Sequence, residues 1–226
     1  MRISLDSLRK DQILWLAKHK CKHNHSYLEH ENCYYKEVNK DKERIGFIDI
    51  ECSNLNADYG ILLTYCIKDS NSKKIYFDKL NISDVKRGGH NATEDKRLIQ
   101  NLMKDMLKFD KLVGHYSSRF DLQYIRTRAI MCKLKFPEFG TIFQADTWNI
   151  LKHKFKLSRN SLESGTRNLL GVTRKNHLSL MLTNRALRGD PWALNQILTH
   201  NKYDVLDTED LYKIIEPYMR KTKTSI

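Results

Sequence analysis

The sequence predicts an α/β fold, a mixed five-stranded sheet flanked by helices, and three observations predict it. Short apolar runs rich in β-formers dominate the segment from Ile45 to Phe77. From Asn91 onward the apolar residues adopt a helical period that two further short runs interrupt. The first forty residues differ from both, with a crowd of Cys and His and no strand-length apolar run. A small module over residues 1–40 is therefore expected ahead of one main domain over residues 41–226.

The elements follow in order. Leu8 to Leu16 is a short amphipathic stretch, and Cys21 to Cys33 is the Cys/His segment. Ile45-Gly-Phe-Ile-Asp-Ile-Glu51, Tyr59 to Ile67 and Lys74 to Phe77 have strand lengths with polar turns between them, as in a three-stranded meander. Leu98, Ile99, Leu102, Met103 and Met106 then line one face of a helix, and Lys111-Leu-Val-Gly114 returns to a strand. A helix after Asp121 and a strand near Thr141 to Ala145 complete the sheet. From Trp148 to Met219 the pattern is mostly helical, with a helix over Ser161 to Leu170 and a long final element broken at Pro217. Three strands, a helix, a strand, a helix and a strand can build a mixed sheet.

Composition narrows the class of partner. Of 226 residues, 40% are hydrophobic and 30% charged, which suits a packed core under a solvated surface. Lys and Arg number 40 against 27 Asp and Glu, a net charge of +13 that favours encounter with polyanions. Five cysteines and no secretory leader pattern point to a reducing, intracellular setting, in the cytoplasm or with the nucleoid or nucleus. No apolar run approaches the roughly 20 residues that span a bilayer, so no membrane association is expected.

Acidic residues supply the chemistry. Residues two apart in a strand share a face, so Asp49 and Glu51 project together from the end of an apolar strand. Two carboxylates that close raise each other's pKa, and a cation would neutralise them. Asp121 stands where a strand passes into a helix, and Tyr203 and Asp207, four apart, share a helical face. Glu209 points away from Asp207, while Asp204 and Asp210 each lie three residues from it; all three are expected in solvent.

Together these segments resemble the three exonuclease motifs of the DEDD superfamily, in its tyrosine branch, as in the proofreading domains of family-B DNA polymerases. Asp49-x-Glu51 resembles the first motif, Phe120-Asp121 followed by Tyr124 the second, and Tyr203-x-x-x-Asp207 the third. Ser161 to Gly171 is similar to the helix that precedes the third motif, and the resemblance runs from Arg44 to Tyr218. It implies an RNase H-like fold and a two-metal 3′→5′ exonuclease that releases nucleoside 5′-monophosphates from single-stranded 3′ ends of DNA or RNA. In that reading Mg²⁺ or Mn²⁺, two per site, is held by Asp49, Glu51, Asp121 and Asp207. Asp49 bridges the pair, Asp207 holds the ion that activates water, Asp121 supports the other, Glu51 positions water and the terminal nucleotide, and Tyr203 orients the attacking water. Where the polymerase domains carry Asn five residues before the second-motif Asp, this chain has Tyr116. The chain shows no polymerase segment, so it is expected to act alone or be recruited. The competing class is a non-catalytic nucleic-acid-binding protein on the same platform.

Nucleic-acid contacts are expected from the basic run Lys152, Lys154, Lys156 and Arg159, from Arg167, Arg174 and Lys175, and from the aromatic residues Tyr116, Phe120, Trp148 and Phe155. In the module, Cys21, His25, His30 and Cys33 have a spacing that can close a tetrahedral Zn²⁺ site, with His23 as the substitute for His25. Cys52, Cys66 and Cys132 read as buried thiols.

Overall fold

The computed structural model describes residues 10–21, 23–30, 33–34, 43–88, 93–174, 178–219 and 224–226. Leu8, Asn91 and Lys175 lie outside the described residues. The chain divides into two compact units, Met1–Glu43 and Arg44–Ile226.

In the smaller unit, helix α1 (Lys10–Lys18) carries Asp11 in its first turn and Lys18 in its last, charges that suit the helix dipole. A bridge between Lys20 and Ser26 follows. Ser26 and Glu29 exchange bonds in the manner of a capping box: Ser26 N and Oγ donate to Glu29 Oε2 at 3.1 and 2.9 Å, and Glu29 N donates to Ser26 Oγ at 3.3 Å. Among the described residues of this unit Leu16, Cys21 and Tyr27 are buried.

The larger unit is built on β1 (Ile45–Cys52), β2 (Leu62–Asp69), β3 (Ile75–Lys79), β4 (Lys111–Gly114), β5 (Phe143–Asp146) and β6 (Thr224–Ser225), in the sheet order β3-β2-β1-β4-β5-β6. β1 to β3 form an antiparallel meander, and β4 and β5 run parallel to β1. The sheet has six strands where the sequence predicts five. β6 is two residues long, too short to show a period, and pairs antiparallel with β5 through Phe143 and Gln144. The second run is also displaced: Tyr59 is exposed in a turn, and the strand starts at Leu62.

The helices are α2 (Ile82–Gly88), α3 (Lys96–Met106), α4 (Asp121–Met131), α5 (Thr147–Lys154), α6 (Leu162–Leu170), α7 (Leu180–Leu187) and α8 (Pro191–Ile215). α2 has no counterpart in the sequence reading; Asn81 and Asp84 cap it reciprocally, at 2.9 and 3.1 Å. α8 starts from an Asp190 cap with Pro191 in its first turn. It ends at Ile215, and Glu216–Tyr218 around Pro217 is a 3₁₀ turn.

The sheet buries both faces. Ile48 and Ile50 join Leu98, Leu102 and Ile125 in the main core, whereas Phe47 packs with Cys66, Val113, Leu198, Val205 and Tyr212. Alternation along β1 therefore turns its odd-numbered residues toward α8. A buried ion pair ties the first face together: Arg128 bonds Asp95 at 2.6 and 2.9 Å, and Asp95 also accepts from Leu62 N at 2.8 Å.

Candidate active site

Because β1, β4 and β5 are parallel, their C-terminal ends meet at one edge of the sheet, and each carries or delivers a carboxylate there. β1 brings Asp49 and Glu51 to the face that α8 covers. Its pairing with β2 shifts register between Glu51 and Cys52, which ends the regular ladder at the acids. β4 ends at Gly114, where an added Cβ would collide with the Ser117 side chain and lie 3.2 Å from Ile48 O. The absence of a side chain lets the next turn fold back closely. That turn passes through Tyr116, in the left-handed region at φ 63°, and delivers Asp121 as the first residue of α4. Asp121 Oδ1 accepts from Ile50 N at 3.1 Å, which locks the start of α4 onto β1 between Asp49 and Glu51.

The fourth side of the site comes from α8. Asn201 Nδ2 donates to Asp49 Oδ2. His200 Nε2 lies 3.4 Å from both Glu51 Oε1 and Asp204 Oδ2. Glu51, His200 and Asp204 bring their ligand atoms within 4.8 Å of one another. Lost hydration, with Asp204, Asp121 and Glu51 as like-charged neighbours, holds the Asp49 carboxyl well above the usual carboxylate range despite the Asn201 bond. Burial pushes the Asp121 carboxyl up to about 7, against hydrogen bonds from backbone amides, with Asp146 and Asp204 adding to the rise.

The third motif is thus corrected. Asp204, expected in solvent, is the helix carboxylate that acts on both Asp49 and Asp121. Asp207 is buried elsewhere: Arg174 bonds it through Nη1 at 2.5 Å and through its backbone N at 3.0 Å, and the same Nη1 lies 2.9 Å from Asp210. The α8 ring that lies against Glu51 and Asp204 is His200. Leu198, Val205 and Tyr212 form the stripe of α8 that meets the sheet. At 3.6 residues per turn, Tyr203 falls roughly 160° round from that stripe. His200-x-x-x-Asp204 meets the motif spacing three residues earlier, with His in the aromatic position. Glu209 is buried as well, 3.1 Å from Lys68 and 2.9 Å from Lys213. His200, Asn201 and Asp204 were missed for want of one available signal, the buried Ile197, from which Asn201 and Asp204 follow at four and seven residues on one side of α8.

The donor set fits divalent cations. Four carboxylates converge from three elements, and crowding of this kind is relieved by a cation with a preference for hard oxygen ligands, such as Mg²⁺ or Mn²⁺. Asn201 Oδ1, buried in the same place, has no hydrogen-bond partner among the described residues.

The expected nucleic-acid residues separate into three groups. Tyr116 is exposed and meets Trp148 edge to face at 5.0 Å, and Lys152 and Arg119 lie over the Trp148 ring at 4.7 and 5.2 Å. This cationic aromatic rim adjoins the site, since Asp146 accepts from the Tyr116 and Trp148 amides, each at 2.9 Å. Lys154, Lys156 and Arg159 are exposed farther along. The remainder have partners within the protein: Phe120 and Phe155 pack against core clusters, Arg167 pairs with Glu163 at 2.5 Å, and Arg174 holds Asp207.

In the smaller unit, Cys21, His23, His30 and Cys33 bring their ligand atoms within 4.8 Å of one another. His23, the substitute in the sequence reading, stands in the set, and His25 does not.

A family model of the RNase H superfamily, RNase_H_2, matches residues 46–216. No curated protein sequence matches the chain. Among solved structures, the family B DNA polymerase from the hyperthermophilic archaeon Pyrobaculum calidifontis is similar with a TM-score of 0.60 and 18% identity, over 77% of this chain and 25% of the polymerase. The chain thus spans about a quarter of that polymerase, and at such identity the likeness is one of fold. Among the described residues no helix is long and apolar enough to cross a membrane. The sheet order, the carboxylates at its edge and the match over most of the chain agree: the protein belongs to the RNase H superfamily.

Proposed function

We propose that the chain is a metal-dependent 3′→5′ exonuclease that removes nucleoside 5′-monophosphates from single-stranded 3′ ends. The observation that carries this is the convergence of Asp49, Glu51, Asp121 and Asp204 beside His200. Superfamily membership supports a nuclease, and the fold likeness to a DNA polymerase supports a nucleic-acid substrate. A binding platform has no physical need for four crowded carboxylates in a chain of net charge +13.

Divalent cations held by these four acids would neutralise the scissile phosphate and lower the pKa of water. The chain's own residues supply position and proton handling. Asp49 and Asp121 are fixed by Asn201 and by the Ile50 amide, so a ligand finds them in place. His200 Nε2 faces Glu51 and Asp204 and is positioned to take the proton of the attacking water. The water oxygen bonds to phosphorus as the bond to the 3′-oxygen breaks, leaving a 5′-phosphate on the released nucleoside. Tyr116 and Trp148 offer rings to terminal bases, and Lys152 and Arg119 offer charge to the backbone.

The test is incubation with 5′-labelled single-stranded DNA and RNA in Mg²⁺, Mn²⁺ or EDTA, beside an Asp49→Ala/Glu51→Ala chain. A ladder that shortens from the 3′ end, and that EDTA and the double substitution abolish, is expected. Tight salt-sensitive binding without cleavage would replace this reading with the binding protein.

A further inference from the structure

We infer that Cys21, His23, His30 and Cys33 hold one structural zinc ion, and that this ion, independent of the nuclease site, is what folds the smaller unit. Cys21 Sγ lies 3.7 Å from His23 Nδ1 and 3.4 Å from His30 Nδ1, and Cys33 Sγ lies 3.3 Å from His23 Nδ1. In a tetrahedral site with Zn–S and Zn–N bonds of about 2.3 and 2.0–2.1 Å, the sulfur-to-nitrogen edge is about 3.6 Å. The three separations thus scatter about the edges of a tetrahedron whose centre accepts a zinc ion. Two thiolates and two imidazoles suit zinc, whereas the oxygen donors of the larger unit suit Mg²⁺ or Mn²⁺.

Backbone geometry explains why His23 is the ligand. Asn24 is left-handed at φ 66° and donates to Cys21 O at 2.9 Å, while Cys21 N donates to His25 O at 2.8 Å. The chain closes a tight turn between Cys21 and His25, and His23 at its tip returns to Cys21 and Cys33. On the other side the Ser26/Glu29 cap starts a helical turn, and Cys33 N donates to His30 O at 2.9 Å. Residues three apart in such a turn share a face, so His30 and Cys33 point together. Among the described residues, Leu16, Cys21 and Tyr27 are buried with Leu28, Cys33 and Tyr34 packed against them, a small apolar cluster beside the four ligands. Metal binding supplies folding free energy in small modules.

The test uses the full chain, purified with reductant and exchanged into metal-free buffer, with zinc counted by plasma mass spectrometry. About one zinc per chain is expected. Cys21→Ser and His23→Ala should lose it, His25→Ala should retain it, and an Asp49→Ala/Asp204→Ala chain should also retain it, which separates this ion from the nuclease metals. Because a ligand variant can lose metal by misfolding, cobalt titration into chelator-stripped wild type provides a second reading: intense visible bands of a tetrahedral thiolate site are expected. Chelation should also expose the smaller unit to protease while the larger unit stays intact. A zinc-free wild type with Cys21 and Cys33 joined in a disulfide would overturn the inference. So would an octahedral cobalt spectrum, or zinc retained in His23→Ala and lost in His25→Ala.

Discussion

Two adjacent turns of α8 carry carboxylates in opposite circumstances. On the first, Asp204 stands beside His200 and Glu51 and adds its charge to that of Asp49 and Asp121. On the next, Asp207 and Asp210 share the guanidinium of Arg174. An arginine that neutralises two acids is a fixed structural partner, and its Nη1 and backbone N hold the loop before α7 against the helix. Acids that instead raise one another's pKa store unfavourable energy, and clusters of that kind are where a metal or a reaction is to be sought. Asp204 and Asp207 stand three residues apart on one helix, so the partner decides which of them is chemical.

Asp204→Asn should lower nuclease activity by at least about a thousandfold, since a metal-ligand contribution of several kcal/mol is lost at about 1.4 kcal/mol per tenfold. Asp207→Asn should leave activity within a small factor. It should cost about 1–2 kcal/mol of stability, because Arg174 is partly exposed and only one charge of the pair is deeply buried. For a chain of this size that is a melting temperature lower by roughly 2–8 °C. Steady-state rates and thermal denaturation on the two variants provide the check, and the reverse pattern would return the site to Asp207.

His200→Ala should reduce the rate roughly a hundredfold or more, the range for a lost general acid or base. Tyr203→Phe should change it by less than about twofold, since His200 is the ring that faces Glu51 and Asp204. Single-turnover rates on a 5′-labelled oligonucleotide distinguish them. A hundredfold loss in Tyr203→Phe with an active His200→Ala chain would remove His200 from the mechanism.

The same helix shows what the sequence made legible. Local patterns carried the strand faces and the first two motifs: the parity of β1 put Asp49 and Glu51 on one side, and Asp121 stood at a strand-to-helix junction. The third motif could be set in two registers three residues apart, each with an acid four residues after a ring. Choosing between them required knowing which side of α8 is buried, and Ile197, four and seven residues before Asn201 and Asp204, held that information. Arg174 as the partner of Asp207 was not legible, because the two lie 33 positions apart in the chain and meet only through tertiary packing. β6 was invisible for the same reason, as two residues show no period. In the smaller unit the ligand types were readable, while the choice of His23 over His25 depends on a backbone turn at Asn24 that spacing alone does not encode.

The smallest effect concerns a carboxylate of intermediate character, Asp146 at the end of β5. It resembles Asp207 in being fully bonded: its oxygens accept from Tyr116 N and Trp148 N at 2.9 Å, from Ser118 N at 3.1 Å and from Ser118 Oγ at 2.5 Å. It resembles Asp204 in raising the Asp121 carboxyl. Its bonds cap α5 and pin the turn that carries Tyr116 into Asp121, so it positions an acid of the site and needs no contact with substrate. Asp146→Ala should cost about 1–2 kcal/mol through the lost cap. It should also slow cleavage by roughly tenfold, less than the hundredfold expected for a full 1 Å displacement of a reacting group. Asp146→Asn keeps one oxygen for the Tyr116 and Trp148 amides but cannot accept from Ser118 with its amide nitrogen, so it should recover most of the stability and part of the rate. If Asp146→Ala melts early yet cleaves at the wild-type rate below its melting temperature, Asp146 is a helix cap alone, and the fixing of Asp121 falls to the Ile50 amide.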